Sequence, residues 1–99
     1  MGAGEGGTAS GASASLMVVT IRPAAYRDLR RLAPEVADRV EAAIDALAEN
    51  PRPPGALLLR EWAFRAWRLR VGDWRVIYTI DDEVATVTIV RILYRSKAY

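Results

Sequence analysis

Trp67-Arg68-Leu69-Arg70-Val71-Gly72-Asp73-Trp74-Arg75-Val76-Ile77-Tyr78 is the stretch that decides how this chain folds. Apolar residues alternate with polar ones on both sides of Gly-Asp, which is the period of a half-buried β-strand. A two-residue Gly-X loop supplies the turn whose twist matches a hairpin. The hairpin carries Arg68, Arg70 and Arg75 on neighbouring strands. A guanidinium is planar, stays charged at any working pH and binds phosphate oxygens in bidentate geometry, so these three residues give a preorganised anion site. Alternation alone also predicts polar residues on a solvated strand face, and from the hairpin by itself both readings stand. Arg75, just after the turn in a short strand, reads as an exposed side chain whose loss hardly changes folding.

Downstream of the hairpin, the spacing predicts strands over Arg65–Val71, Trp74–Ile80 and Val84–Leu93, with turns at Gly72-Asp73 and Asp81-Asp82-Glu83. Turns this short force antiparallel pairing. Upstream, β-branched Met17-Val18-Val19-Thr20-Ile21 reads as a strand inside the sheet. Pro23 ends it and suits the first turn of a helix. There Tyr26, Leu29 and Leu32 repeat at helical spacing while Arg27, Asp28, Arg30 and Arg31 are expected to face water. Pro34 opens a second helix with the apolar stripe Val36, Val40, Ile44 and Leu47, and Asn50-Pro51-Arg52-Pro53-Pro54-Gly55 stops it in a stiff loop. The order is β-α-α-β-β-β: an α+β domain whose antiparallel four-stranded sheet has a helical hairpin packed on one face.

At 99 residues there is room for one such domain, placed at residues 17–99. Residues 1–16 are the expected disordered tail, almost entirely Gly, Ala, Ser and Thr through Ser15, with no means of offsetting ordering entropy by burial. The tail lacks the basic start and apolar core of a signal peptide, which points to a cytoplasmic protein, and no apolar run approaches the ~20 residues of a membrane span. Cys and His are both absent, which removes disulfides, thiolate zinc sites, the commonest metal ligand and the commonest general base near neutral pH. Chemistry here rests on Arg, Lys, Tyr, Asp or Glu, with no cofactor and no metal expected. The formal charge of +2 hides an asymmetry. Residues 57–99 carry eight basic side chains against five acidic ones, whereas residues 16–56 carry six of each, so the basic excess lies in the strand half, as a polyanion-binding patch requires.

The chain resembles the RelE/ParE toxin superfamily of bacterial type II toxin-antitoxin systems from Val18 to Tyr99. The carriers are Tyr26-Arg27-Asp28-Leu29-Arg30-Arg31-Leu32, the hairpin above, and the ending Arg91-Ile92-Leu93-Tyr94-Arg95-Ser96-Lys97-Ala98-Tyr99. The resemblance implies a cognate antitoxin as partner. For a RelE-like member it also implies metal-independent endoribonuclease activity on mRNA, most often in the ribosomal A site. Position by position, Arg68 and Arg70 match the phosphate-binding basic pair before the turn. Arg75, Arg95 and Tyr99 match the catalytic arginine after the turn, the arginine after the last strand and the tyrosine a few residues beyond. Leu93-Tyr94 stands where the family often has Gly followed by His or Lys. The ParE branch keeps the fold, acts on DNA gyrase and does not cleave RNA, and a decayed toxin would only bind its antitoxin. These are the alternatives to the nuclease.

The chemistry of RNA fits the matched residues. RNA carries its own nucleophile in the 2′-hydroxyl, so cleavage to a cyclic phosphate needs alignment, a proton acceptor, charge stabilisation and a proton for the departing 5′-oxygen. Tyr99 is the candidate acceptor if nearby arginines depress a phenol pKa ordinarily near 10. Arg75 stabilises the phosphorane-like charge and Arg95 serves the leaving oxygen. Other conspicuous residues read as structural: Arg91 as the partner of an acid on the helices, and Trp67, Trp74 and Tyr78 as packing. Trp62 and Phe64 either close the core or form part of a partner groove.

Overall fold

The structure is a computed structural model that describes residues 16–60, 62 and 64–97. Tyr99, and the expected tail apart from Leu16, lie outside the described residues. Strand β1 (Val18–Ile21) leads into helices α1 (Pro23–Arg30) and α2 (Pro34–Ala46). Strands β2 (Leu57–Leu59), β3 (Ala66–Val71), β4 (Trp74–Asp81) and β5 (Thr86–Tyr94) follow, and a 3₁₀ turn covers Arg95–Lys97. Proline occupies the first turn of both helices, where its missing N–H has no intrahelical partner to lose. None of the described helices is long and apolar enough to cross a membrane.

The five strands form one mixed sheet in the order β1-β5-β4-β3-β2. The predicted antiparallel pairs β3–β4 and β4–β5 are present, with Arg70 opposite Arg75 and Ile77 opposite Arg91. Two features go beyond the expected four antiparallel strands. A three-residue strand, β2, adds to the free edge of β3. The first strand lies at an edge of the sheet, not inside it, and runs parallel to β5, with Thr20 opposite Thr88. Short turns fix only the pairing of strands adjacent in sequence. The two helices carry the chain away from β1, so its neighbour is chosen by packing.

The helices cover one face of the sheet. Ala25, Leu29, Val40, Ile44 and Leu47 pack against Val76, Tyr78, Val87, Ile89 and Ile92, with Trp67, Trp74, Leu32 and Val36 partly buried around them. The apolar stripe predicted for α2 is therefore the one buried. On α1 two expectations fail: Tyr26 is 52% exposed, with Arg30 beside its ring at 5.9 Å, and Asp28 is buried. The opposite face of the sheet carries a smaller cluster of Leu59, Ala66 and Ile77, flanked by Trp62, Val90 and Leu93, and among the described residues no helix covers this open face. A register shift between Ile77 and Tyr78 leaves Val90 as an extra residue in β5. The bulge lets Ile89 and Ile92, three residues apart, share the helix-covered face.

Candidate nucleic-acid interface

Side chains alternate between faces along a strand, and directly opposed residues of neighbouring strands share a face. Val76 and Tyr78 point to the helices, so Arg75 and Ile77 point to the open face. Register then places Arg70, opposite Arg75, and Arg68, opposite Ile77, on that same face. Three of the five predicted site residues are thus gathered on one rigid patch beside the β3–β4 turn. Arg70 is exposed and Arg68 half-buried.

Arg75 is not the exposed side chain expected from sequence. It is only 8% exposed, and its Nη1 donates to the Gly72 carbonyl at 3.0 Å and the Trp74 carbonyl at 2.9 Å. The side chain therefore folds back over the turn and stitches it. Its buried Nε has no hydrogen-bond partner among the described residues. Two carbonyls answer one nitrogen, and among the described residues no carboxylate pairs with the charge, which sits in a poorly solvated place where its field on a nearby anion is stronger than in bulk water.

The same turn positions the fourth residue. Gly72 takes φ +59°, and no positive φ occurs at Asp73, the pattern of a hairpin turn that requires glycine in its first loop position. The Asp73 carbonyl accepts the Arg95 N–H at 2.9 Å, so the end of β5 and the start of the 3₁₀ turn are fixed to the hairpin that holds Arg70 and Arg75. Arg95 and Lys97 are exposed there. Neither Arg70 nor Arg95 has a carboxylate partner among the described residues, where the ion pairs are Arg52–Asp82 and Arg91–Asp28. Tyr99, the fifth predicted residue, lies outside the described residues, so the structure does not position the proton acceptor.

Sequence reading missed one cation at this site. The guanidinium of Arg39, on α2, approaches Gly72 so closely that a Cβ there would meet its Nη2 at 3.1 Å. In the sequence Arg39 is one of several charges on the water-facing side of a helix, and nothing local marks it. Arg91, in contrast, is structural as expected: its guanidinium reaches Asp28 on α1. Burial pushes the Asp28 carboxyl up, but hydrogen bonds from Arg91 and the Ile92 N–H, with the charges of Arg91 and Arg31, bring it below its ordinary value. Tyr78 and Trp67 are packing residues, also as expected. The Tyr78 hydroxyl donates to the Pro51 carbonyl at 2.8 Å, and burial, opposed by Arg52, pushes its pKa up to about 12.

Two helices on one side of a small mixed sheet, with Arg68, Arg70 and Arg75 on the other, define a basic α+β protein. Over residues 19–99 the sequence matches the family described as the ParE toxin of the type II toxin-antitoxin system parDE. It is 41% identical over 76 residues to Toxin RelG of Mycobacterium tuberculosis, covering 76% of this chain and 86% of that protein. With Toxin RelE of the same organism it shares 38% over 82 residues, or 82% of this chain and 84% of that protein. The fold is similar to the M. tuberculosis chain solved in the toxin-antitoxin complex RelBE2, with a TM-score of 0.70 at 33% identity, covering 81% of this chain and 99% of that one. It is also similar to a chain of the archaeal RelE-RelB complex from Pyrococcus horikoshii, with a TM-score of 0.73 at 24% identity, covering 84% and 99%. This chain belongs to the RelE/ParE superfamily and is a toxin of a type II toxin-antitoxin system.

Proposed function

We propose that this toxin is an endoribonuclease that cleaves mRNA on the ribosome, in the cytoplasm, by directing the RNA's own 2′-hydroxyl at the adjacent phosphate. The observation that carries the reading is the convergence on one turn. Arg70 lies directly opposite Arg75 on the open face, and Arg95 is fixed to Asp73 within the same loop. Arg68 and Arg70 hold phosphate oxygens. Arg75 supplies charge from beneath the turn and keeps it in shape, and Arg95 serves the departing 5′-oxygen. Placing donors where negative charge develops is worth about 3 to 4 kcal/mol per group in comparable sites. Tyr99 takes the proton from the 2′-hydroxyl, a role that rests on the sequence alone.

The solved relatives are described as toxin-antitoxin complexes, which supports a cognate antitoxin as the partner of this chain. An acidic segment laid over the basic sheet face would compete with RNA for the same arginines, and its association would weaken with salt. The description of the matched family as ParE favours a second reading, in which the toxin acts on DNA gyrase and leaves RNA intact. Inducing the toxin in a bacterial host and mapping new mRNA 5′ ends against gyrase-linked DNA breaks tests the two together. New 5′ ends that disappear in Arg70→Ala support the nuclease. DNA breaks with unaltered transcripts transfer the site to the second reading.

A further inference from the structure

Farther along the open face from the arginines, register aligns Thr20 of β1, Thr88 of β5 and Thr79 of β4 in one row across three strands. Over that row lies a cavity of about 520 Å³ lined by Arg22, Phe64, Thr79, Thr88 and Val90, within the range of small-ligand sites. Phe64, which precedes β3, is 46% exposed, and the edge-on ring of Trp62, 5.7 Å away at 79°, packs against it. Thr20 Oγ1 donates to Thr88 Oγ1 at 3.3 Å, which leaves the Thr88 hydroxyl hydrogen available to donate. Thr79 Oγ1 makes no hydrogen bond among the described residues.

An exposed ring, two hydroxyls with hydrogen-bonding capacity and the apolar side chain of Val90 suit a planar group with polar edges. A nucleobase has that form, and single-stranded RNA is read by stacking bases on aromatic rings and hydrogen-bonding their edges. Thr79 lies four residues from Arg75 on the same face of β4, about 13 Å away at the rise of a strand. A base in the cavity therefore belongs to a nucleotide near the one whose phosphate the arginines hold, not to that nucleotide itself, and Arg22 at the rim carries positive charge to this end of the face. Resting on the ribonuclease reading above, we propose that the cavity seats one base of the mRNA, with Phe64 on its face and Thr79 and Thr88 on its edge. It would set sequence preference at a position beside the cut.

The test titrates the full-length toxin with 2′-O-methyl RNA oligonucleotides of each base, which lack the attacking hydroxyl, while NMR follows the Thr79 and Thr88 methyls, the Phe64 ring and the Arg68 and Arg70 side chains. The expected result is that one base moves the threonine and phenylalanine signals more than the others do. Thr79→Val and Thr88→Val, which keep the branched shape, then each lower affinity for that oligonucleotide about three- to tenfold, the effect of one lost neutral hydrogen bond. Phe64→Ala lowers affinity for every base by about tenfold, the effect of a lost stacking platform. Arginine signals that move with every oligonucleotide while the cavity signals stay still would overturn the proposal and leave the nuclease reading standing. Cavity signals that respond only to an acidic antitoxin segment would assign the cavity to protein and also overturn it. If no signal moves with any oligonucleotide, both readings fall.

Discussion

The Arg91 guanidinium donates from Nε to Asp28 Oδ2 at 2.7 Å and from Nη2 to Asp28 Oδ1 at 3.1 Å, and it joins the last strand to the first helix. Oδ2 also accepts the Ile92 N–H at 2.9 Å, a donor on the edge of β5 beyond the last residue paired with β1. Asp28 thus does for the end of β5 what a further strand would do. Asp28→Ala leaves a buried N–H and a cation without an acceptor and is expected to destabilise by about 3 kcal/mol. Asp28→Asn retains an acceptor and is expected to cost about half as much. Arg91→Ala should cost less than Asp28→Ala, because its side chain is 40% exposed and the pair is partly screened. Thermal unfolding reads these directly, at roughly 4 to 8 °C per kcal/mol for a domain of this size. Equal melting temperatures for wild type and Asp28→Ala would remove Asp28 from this role.

Acid should act through the same carboxylate. Its pKa is lower in the folded chain than the ordinary 3.8, so the unfolded chain binds the proton more readily. The stability this confers is complete above pH values near 3.8 and is lost as pH falls through the lower folded value. Asp28→Asn should therefore flatten the acid limb of a stability-against-pH curve while lowering its plateau. An acid limb as steep in the variant as in the wild type would locate the acid sensitivity elsewhere.

Arg75 and Arg70 should separate folding from activity. Arg75→Ala removes both hydrogen bonds that stitch the turn and is expected to cost about 1 to 2 kcal/mol of stability. It should also lower mRNA cleavage per folded molecule by about two to three powers of ten. Arg75→Lys should recover only part of the cleavage, since a compact ammonium lacks the two-oxygen fork that a guanidinium offers a phosphate. Arg70→Ala, at an exposed position, should leave the melting temperature nearly unchanged while cleavage falls. Cleavage on programmed ribosomes alongside calorimetry checks both, and full cleavage by folded Arg75→Ala would take it out of the reaction.

Tyr78 should make the protein sensitive to alkali. Its phenol loses a proton at about pH 12 in the folded chain against 10.0 ordinarily, so above pH 10.0 the unfolded chain gives up the proton first and stability falls with rising pH. Tyr78→Phe should weaken the fold by about 1 kcal/mol at neutral pH through the lost bond to Pro51, and should abolish this alkaline dependence. Denaturant titrations at neutral and alkaline pH measure both effects. An unchanged alkaline slope in Tyr78→Phe would contradict the assignment.

Gly72→Ala should loosen the site without replacing a charged group. The left-handed φ of +59° costs an L-residue about 1 to 2 kcal/mol. The Arg39 guanidinium, 3.1 Å from the added methyl, is the end of a flexible chain and can withdraw. Cleavage should drop more than stability does, because the turn anchors both Arg75 and Arg95. Parallel melting and cleavage assays on the folded variant decide this, and a loss of stability with full cleavage would show that the turn does not set the geometry.

The hairpin was legible because its information is local. Alternation over residues 67–78 sets which side chains share a face, and Gly-Asp sets the turn, so the grouping of Arg68, Arg70 and Arg75 follows from the period of a strand. The helices were legible for the same reason, through Pro23, Pro34 and the stripe from Val36 to Leu47. Asp28 was misread because its neighbours in sequence are charged and solvated, while the partner that buries it is 63 residues away. Arg75 was misread because alternation gives the face of a side chain but not whether it extends into water or folds back onto carbonyls.

Sequence by itself determined the class of fold, the basic face and the glycine that its turn requires, all properties carried by spacing and residue type over a few neighbours. Tertiary structure alone decided that β1 lies parallel to β5 at the edge, that Arg39 reaches Gly72, that Arg95 is tied to Asp73 and that Thr79 and Thr88 share a cavity with Phe64. The physical reason is that each of these joins residues far apart in the chain. Their meeting is fixed by how the helices and sheet bury apolar surface together, and no local pattern records it.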